Sequence, residues 1–355
     1  MSLPSLDQPF VKGFLETAAG KVPRVSSSWD RADYWGTFKA RWGVGRMNYT
    51  ADPGLYALGN PGEDSIVLAT ANYKMSFDRL RKALPGVDAW IVVLDTKGIN
   101  VWCAAGKGTF GTQELVTRIE GSALSRIVSH RQIILPQLGA PGIAAHLVKK
   151  LSGFKAVYGP IRAEDLPAFL ANGLETTPEM RAKAFPLRER MVLIPVELVA
   201  ALKMTLIIIP ILLVLSGLLG PNSFLANLLN HGFFAAAAVL TAVACGAVFT
   251  PILLPWLPGR PFSVKGVLPG IGGAAVLLMV WGIRGAAGGF FEMLSWFLLI
   301  PAAATYLAMN FTGASTYTSL SGVKKEIRWA LPFQIVVGVA GLTLWVYSLS
   351  VAQGV

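Results

Sequence analysis

Charge and sulfur are both scarce in this chain. Only 14% of its 355 residues are charged, 53% are hydrophobic, and the mean hydropathy is +0.53. Soluble domains carry about 25% charged residues, so part of the chain is expected to sit in lipid. The scarcity is uneven: 24 of the 31 Lys and Arg and 17 of the 20 Asp and Glu fall in residues 1–190. There are only two cysteines, one in each portion. That excludes a disulfide framework, and an iron–sulfur cluster, which needs about four thiolates. The first 25 residues, MSLPSLDQPFVKGFLETAAGKVPRV, lack a continuous apolar core, so no secretory signal is expected. The net charge of +11 does not point to nucleic acid, because the basic residues near 181–190 and 324–328 flank apolar runs. Their expected place is the cytoplasmic face of a lipid bilayer.

Five runs are long and apolar enough to cross a bilayer core, which takes about 20 residues. They lie at about 192–219, 232–256, 266–283, 288–310 and 331–351. The first divides a soluble-like portion, 1–190, from a membrane portion, 191–355. Nine basic residues (Arg181, Lys183, Arg188, Arg190, Arg260, Lys265, Lys324, Lys325, Arg328) fall on one side and Arg284 alone on the other. The positive-inside rule then predicts a multi-pass protein of the inner (cytoplasmic) membrane, with its N-terminal domain cytoplasmic and its C-terminus outside. Glu197, Lys203 and Glu292 lie near span ends, where snorkelling accounts for them. His231 and Cys245 read as single residues without a metal-ligand partner at helical spacing. Five spans without an internal repeat fit poorly with inverted-repeat transporters.

In the soluble portion, apolar runs at Ser65–Ala69, Ala89–Leu94, Gln132–Leu135 and Ala156–Tyr158 read as strands. Helix-like stretches lie at Ser76–Leu84, Gly111–Ile119, Ile143–Leu151 and Ala163–Asn172. This alternation predicts βαβ units and a largely parallel, Rossmann-like sheet, an α/β domain followed by an all-α domain of five transmembrane helices. Such sheets bind ligands beyond the carboxyl ends of their strands. Those ends are Thr70–Lys74, Asp95–Lys107, Pro136–Gly142 and Gly159–Arg162. The same rule makes Thr70, Gly139, Gly142 and Gly159 candidate cofactor contacts.

The second of these ends holds Cys103, in the stretch GINVWCAAGKGTF. A phosphate loop is excluded, because Val101 and Gly108 stand where glycine and Ser or Thr are required. Gly106, Gly108 and Gly111 spell a dinucleotide fingerprint, but a dozen residues past the strand. A cysteine nucleophile needs a base, and only His130 and His146 are available in this domain. Paired-thiol redox chemistry lacks its second thiol. Plain burial stays open. So does axial ligation of a metal already held by a macrocycle, with Trp102 as a flat wall and Ala104, Ala105 and Gly106 allowing close approach.

Asn100-Val101-Trp102-Cys103-Ala104-Ala105-Gly106-Lys107 resembles, at every position, the signature of the HgcA family of mercury-methylating corrinoid proteins. The resemblance extends over the chain, a corrinoid domain followed by five membrane helices. The segment Thr312–Glu326 looks like that family's polar loop. The soluble portion is also similar to the corrinoid domain of the corrinoid iron–sulfur protein, without its cysteine-rich cluster domain. The resemblance implies a cobalamin or related corrinoid, with Cys103 on a cap helix as the lower axial ligand of cobalt and Asn100, Trp102 and Lys107 shaping that cap. The histidine signature D-x-H-x-x-G is absent. The family also implies an anaerobic methyltransferase that passes a methyl group from cobalt to mercury(II), giving methylmercury. Its implied partners are a methyl-folate-type donor and a ferredoxin-like iron–sulfur protein (HgcB), which acts as reductant and can carry mercury. Two other classes stay open: a membrane-anchored cobalamin binder for sensing, storage or methylation of another acceptor, and a transporter with a regulatory head.

Overall fold

The computed structural model describes residues 3–283, 289–314 and 320–351. It divides into two compact units: 3–40 with 44–184, and 41–43 with 185–351.

The first unit is built on a seven-stranded mixed sheet. Its strands are β1 (Val11–Thr17), β2 (Gly20–Val25), β3 (Gly54–Leu58), β4 (Ile66–Ala71), β5 (Ala89–Leu94), β6 (Gln132–Leu135) and β7 (Lys155–Tyr158). Their spatial order is β1-β2-β3-β5-β4-β6-β7. The four strands expected from the sequence form the parallel run β5-β4-β6-β7. The hairpin β1–β2 and strand β3, which pairs antiparallel with β5, enlarge that sheet beyond expectation. They are hard to read: β1 is a largely exposed strand with Lys12 and Gly13, β2 contains Pro23, and β3 is only GLYAL.

Both faces of the sheet are covered, which is why β3, β4 and β5 are buried almost throughout rather than alternating. Leu55, Ala57, Trp90, Val92 and Leu94 point to one side. There they meet α3 (Val101–Lys107), α4 (Thr112–Gly121) and α5 (Ala145–Ser152) through Ala104, Leu115, Ile119 and Val148. Tyr56, Leu58, Ile91 and Val93 point to the other, against Phe77 and Leu80 of α2 (Lys74–Lys82) and Phe169 of α6 (Leu166–Ala171). Helix α1 (Arg31–Arg41) is tied to α2 by a buried ion cluster. Lys74 Nζ reaches Asp33 at 3.0 Å and Asp78 at 2.5 Å, and Arg81 reaches Asp33 at 2.6 Å and Asp78 at 2.8 Å. Each charge has opposite-sign partners, which is what makes its burial tolerable.

The connection leaving β4 goes through α2 on one face to β5. The connection leaving β5 goes through α3 and α4 on the other face, past β4, to β6. The connection leaving β4 through α2 and the connection leaving β6 through α5 to β7 run in opposite directions on opposite faces, so the topology switches between the carboxyl ends of β4 and β6. That is the switch point where open α/β sheets take ligands.

Among the described residues the second unit has five helices long and apolar enough to cross a membrane: Leu187–Leu219, Phe224–Leu253, Phe262–Ile283, Phe290–Phe311 and Gly322–Val351. Several start earlier than hydropathy alone suggests. The helix continues through polar turns such as Arg188–Arg190 and Lys324–Arg328, because a helical backbone satisfies its own hydrogen bonds in water and lipid alike. Small residues set the close contacts: a Cβ on Gly270 would lie 2.7 Å from Pro301 Cα, and one on Gly246 would lie 2.6 Å from Ala304 O. The second long helix contains two π-helical stretches, Leu228–Gly232 and Ala244–Phe249. His231, in the first of these, is not single. Its Nδ1 lies 2.8 and 3.0 Å from the carboxylate oxygens of Glu292, on the fourth long helix. That pairing joins residues 61 apart and has no signature in local spacing. Gly288, Arg284 and residues 352–355 lie outside the described residues, as does the middle of the Thr312–Glu326 segment.

Candidate functional site

Cys103 lies on α3, a helix that the resemblance implied and the residue pattern alone did not. Seven residues including Trp, Cys and Gly make a poor helix on propensity alone, so end effects and packing hold it. Asn100 is the N-cap, its side-chain oxygen accepting a hydrogen bond from Cys103 N at 2.9 Å. Gly108 closes the other end at φ 83°. Val101, Ala104 and Ala105 are buried against the sheet, Trp102 and Cys103 are half-buried, and Gly106 and Lys107 are exposed. The helix therefore turns its small apolar face inward and leaves Cys103 between core and solvent.

The loop that delivers α3 is fixed by a residue with no obvious signal in the sequence, Asn72, just past β4. Its Oδ1 accepts from Thr96 N at 3.0 Å and Gly98 N at 3.1 Å. The Thr96 hydroxyl, with one proton to give, lies 2.7 Å from both Asn72 Oδ1 and Ile99 O. Asn72 is 6% exposed and Thr96 fully buried, so this knot sits in low dielectric, where each bond is stronger and each loss dearer. Lys97 and Gly98 both take positive φ, 58° and 71°, in the turn. A Cβ on Gly98 would stand 2.8 Å from Met47 O, so only glycine fits. Glu114 of α4 completes the frame, accepting from Asp95 N at 2.8 Å and pairing with Arg118 at 2.6 Å.

The electrostatics of the thiol are mixed. Burial pushes the Cys103 thiol up from its ordinary value. The Lys107 charge, the Asn100 side chain and the Arg46 charge act against burial by favouring the thiolate. Arg46 reaches this neighbourhood from the turn before β3 and lies over the ring of Tyr73, 5.7 Å from its centroid.

The strand-end candidates are placed as follows. Thr70 is buried within β4, beside Val93 of β5. Gly139 faces Phe110, where a Cβ would lie 2.5 Å from the ring. Gly142 lies under α3: a Cβ there would be 2.1 Å from Phe110 O and 3.0 Å from Ala105 Cα. Gly159 packs on Ile134 beyond β7. Gly139 and Gly142 thus hold the 137–142 turn against α3 and the residues just after it. His130 is occupied in backbone contacts, with Nε2 2.9 Å from Ser65 O and Nδ1 accepting from Gln132 N, while His146 is exposed. An open pocket of about 280 Å³, lined by Lys12, Arg24, Ser26, Asn60 and Asp88, lies at the amino end of β5, opposite the end that leads to Cys103.

Among the described residues no three His, Cys, Asp or Glu side chains gather to hold a metal ion. The site at α3 offers one sulfur donor on a capped helix, half-open to solvent. That donor set fits a metal whose other ligands are brought by the group itself, such as a macrocycle.

Residues 45–170, which span β3 to α6 and include α3, match the family described as CO dehydrogenase/acetyl-CoA synthase delta subunit. The chain is similar to acetyl-CoA decarbonylase/synthase complex subunit gamma of several archaea. It is 28% identical over 130 residues to that of Archaeoglobus fulgidus, covering 35% of this chain and 27% of the relative. It is 31% identical over 129 residues to that of Methanocaldococcus jannaschii, covering 36% of this chain and 26% of the relative. The chain thus spans about a quarter of the length of the curated relatives it matches, and the family match lies in the α/β unit that carries Cys103.

Proposed function

We propose that residues 1–190 form a corrinoid-binding domain and that the chain is a corrinoid-dependent methyltransferase whose acceptor is mercury(II), giving methylmercury. The observation that carries this reading is Cys103: one thiol on a capped helix beyond the carboxyl end of β5, with no cluster of three metal-ligating side chains among the described residues. The unbroken likeness of Asn100–Lys107 to the HgcA signature supports it, and so does the similarity of residues 45–170 to subunits of complexes named for acetyl-CoA chemistry.

When bound, a corrinoid supplies a cobalt that can carry a methyl group between a donor and an acceptor. Cys103 would hold that cobalt through its sulfur. Asn100 keeps the first turn of α3 wound, and with it the sulfur's position. Half-buried Trp102 would give an apolar wall and exposed Gly106 room for a flat ring, whereas Ala104 and Ala105 are spent on the core. A thiolate is a strong electron donor to a metal it binds. That donation would suit an electrophilic acceptor such as mercury(II), which must receive a methyl group with its bonding electrons. Two cysteines in the chain cannot build a cluster, so electrons come from a partner. The reading assigns that role to a ferredoxin-like iron–sulfur protein (HgcB) and the methyl supply to a methyl-folate-type donor. The five long helices fit a multi-pass membrane protein. Nine basic residues against one support a cytoplasmic N-terminal domain.

The test uses membranes containing the full chain, kept anoxic, with the iron–sulfur partner, a methyl donor, a reductant and mercury(II). Methylmercury is the expected product. A cobalt spectrum without methylmercury would keep the corrinoid domain and overturn the acceptor. Purified chain without bound corrinoid would overturn the reading as a whole.

A further inference from the structure

Ten large hydrophobic side chains are exposed among the described residues up to 184, and six of them fall between Tyr34 and Met47. Tyr34 is 55% exposed, Trp35 57%, Val44 60% and Met47 63%, with Phe38 and Trp42 beside them. Single exposed apolar residues are ordinary, whereas a cluster marks a contact surface. Tyr34, Trp35 and Phe38 recur at helical spacing along α1, and so share one face. Trp35 and Phe38 stack, with centroids 5.3 Å apart and rings 12° from parallel.

The charge around this face is mostly basic, with Asp30 just before α1 paired to Lys12. Arg31 and Lys39 are exposed on α1, and Lys82 lies over the rings of Trp29 and Tyr34 at 4.2 and 5.0 Å. Between Arg31 and Thr50 the one acidic residue is Asp33, which is buried and spent on Lys74 and Arg81. Trp, Tyr and Phe mixed with Lys and Arg is the composition of a membrane–water interface. Basic residues there gain from anionic headgroups, and aromatic rings sit at headgroup depth. The same chain carries five membrane-length helices, so a lipid surface is tethered to it at high effective concentration.

We propose that the aromatic, basic face of α1 and the turn through Met47 lies on the anionic lipid surface of the membrane that the five helices cross. The proposal rests on the membrane reading of those helices. The bilayer then holds the edge of the α/β unit next to the loop of Cys103, because Met47 O abuts Gly98.

The test places the photo-crosslinking residue benzoylphenylalanine at Trp35 in the full chain. The protein is examined in phosphatidylglycerol and phosphatidylcholine nanodiscs and in native membranes. Leu206, 75% exposed on the first long helix, reports on lipid around the spans, and Leu151, 51% exposed on α5, reports on solvent. Lipid adducts are expected at 35 and 206 and not at 151, with more at 35 in phosphatidylglycerol. Replacing Arg31→Gln and Lys39→Gln should lower the yield at 35 by roughly fivefold per lost charge. Adducts at 206 but not 35 would overturn the proposal and leave the membrane reading intact. So would equal yields at 35 and 151, or adducts at 35 to an acidic protein in native membranes. Absence of lipid adducts at 206 would overturn the membrane reading, and the proposal with it.

Discussion

Cys103 sits on a seven-residue helix at a strand end, half-buried, with Asn100 hydrogen-bonded to its amide and two cationic side chains near enough to favour its thiolate. Cys245 sits within a membrane-length helix, 4% exposed, in a π-helical stretch. A Cβ added to Gly273 of the third long helix would lie 2.3 Å from its sulfur. One sulfur is held by polar groups and left open on a side. The other is enclosed by small residues and fills a gap between helices, as free cysteines in cores commonly do. The comparison shows what separates a candidate ligand from packing: an open side and an oriented backbone, rather than the thiol itself.

The largest effect should come from exchanging the two cysteines for alanine one at a time. Cys103→Ala should abolish methyl transfer and change the cobalt absorption spectrum of the full chain. Cys245→Ala should leave both nearly as they were. An unchanged spectrum in Cys103→Ala would remove that sulfur from the metal, and lost activity in Cys245→Ala would erase the contrast.

Next in size is Gly142→Ala. The new methyl group would meet Phe110 O at 2.1 Å and Ala105 Cα at 3.0 Å, both backbone atoms that no rotamer change can move. Overpacking of this kind costs about 1–3 kcal/mol or more. The readout is the thermal unfolding of the full chain in detergent, together with corrinoid retention. Wild-type values in both would mean that the turn at 137–142 does not press on α3.

Gly273→Ala probes the enclosed cysteine in the same way, but here the obstacle is a side chain that can be removed. Alone, it should destabilise the helical unit, by about 1–3 kcal/mol. Combined with Cys245→Ala, much of the loss should return, because the sulfur that the new methyl would strike is gone. Simple additivity of the two in thermal unfolding would show that they do not touch.

How much of this contrast was legible in the sequence follows from range. The parallel strands β4 to β7 announce themselves as apolar runs between helix-like stretches, and their carboxyl ends locate Cys103 by rule. The helix around it does not announce itself, since VWCAAGK has low helix propensity and is held by Asn100, Gly108 and burial of Ala104 and Ala105. Asn72 is invisible for a different reason. It acts on Thr96 and Gly98 only because β4 and β5 pair side by side, a contact between residues 24 and 26 apart. The pairing of His231 with Glu292 is hidden in the same way, by helix packing across 61 residues. The glycines at strand ends were legible as special positions. Close approach of Phe110 and α3 accounts for two of them, Gly139 and Gly142, and leaves ligand contact there as a proposal.

The smallest effect should be the most specific. Asn100→Ala removes the side chain that accepts from Cys103 N and leaves the sulfur itself in place. Loss of such a cap costs about 1 kcal/mol, roughly fivefold in the equilibrium between wound and frayed first turn. The fraying is local, so thermal unfolding of the whole chain should move little. The ligand geometry should suffer more, giving a heterogeneous cobalt spectrum and reduced turnover. Asn100→Ser keeps an oxygen able to cap and should restore most of both. If serine behaves like alanine, Asn100 contributes something other than a cap. If neither substitution has an effect, the open cysteine owes its position to the packing of Ala104 and Ala105, and the difference between the two cysteines reduces to exposure alone.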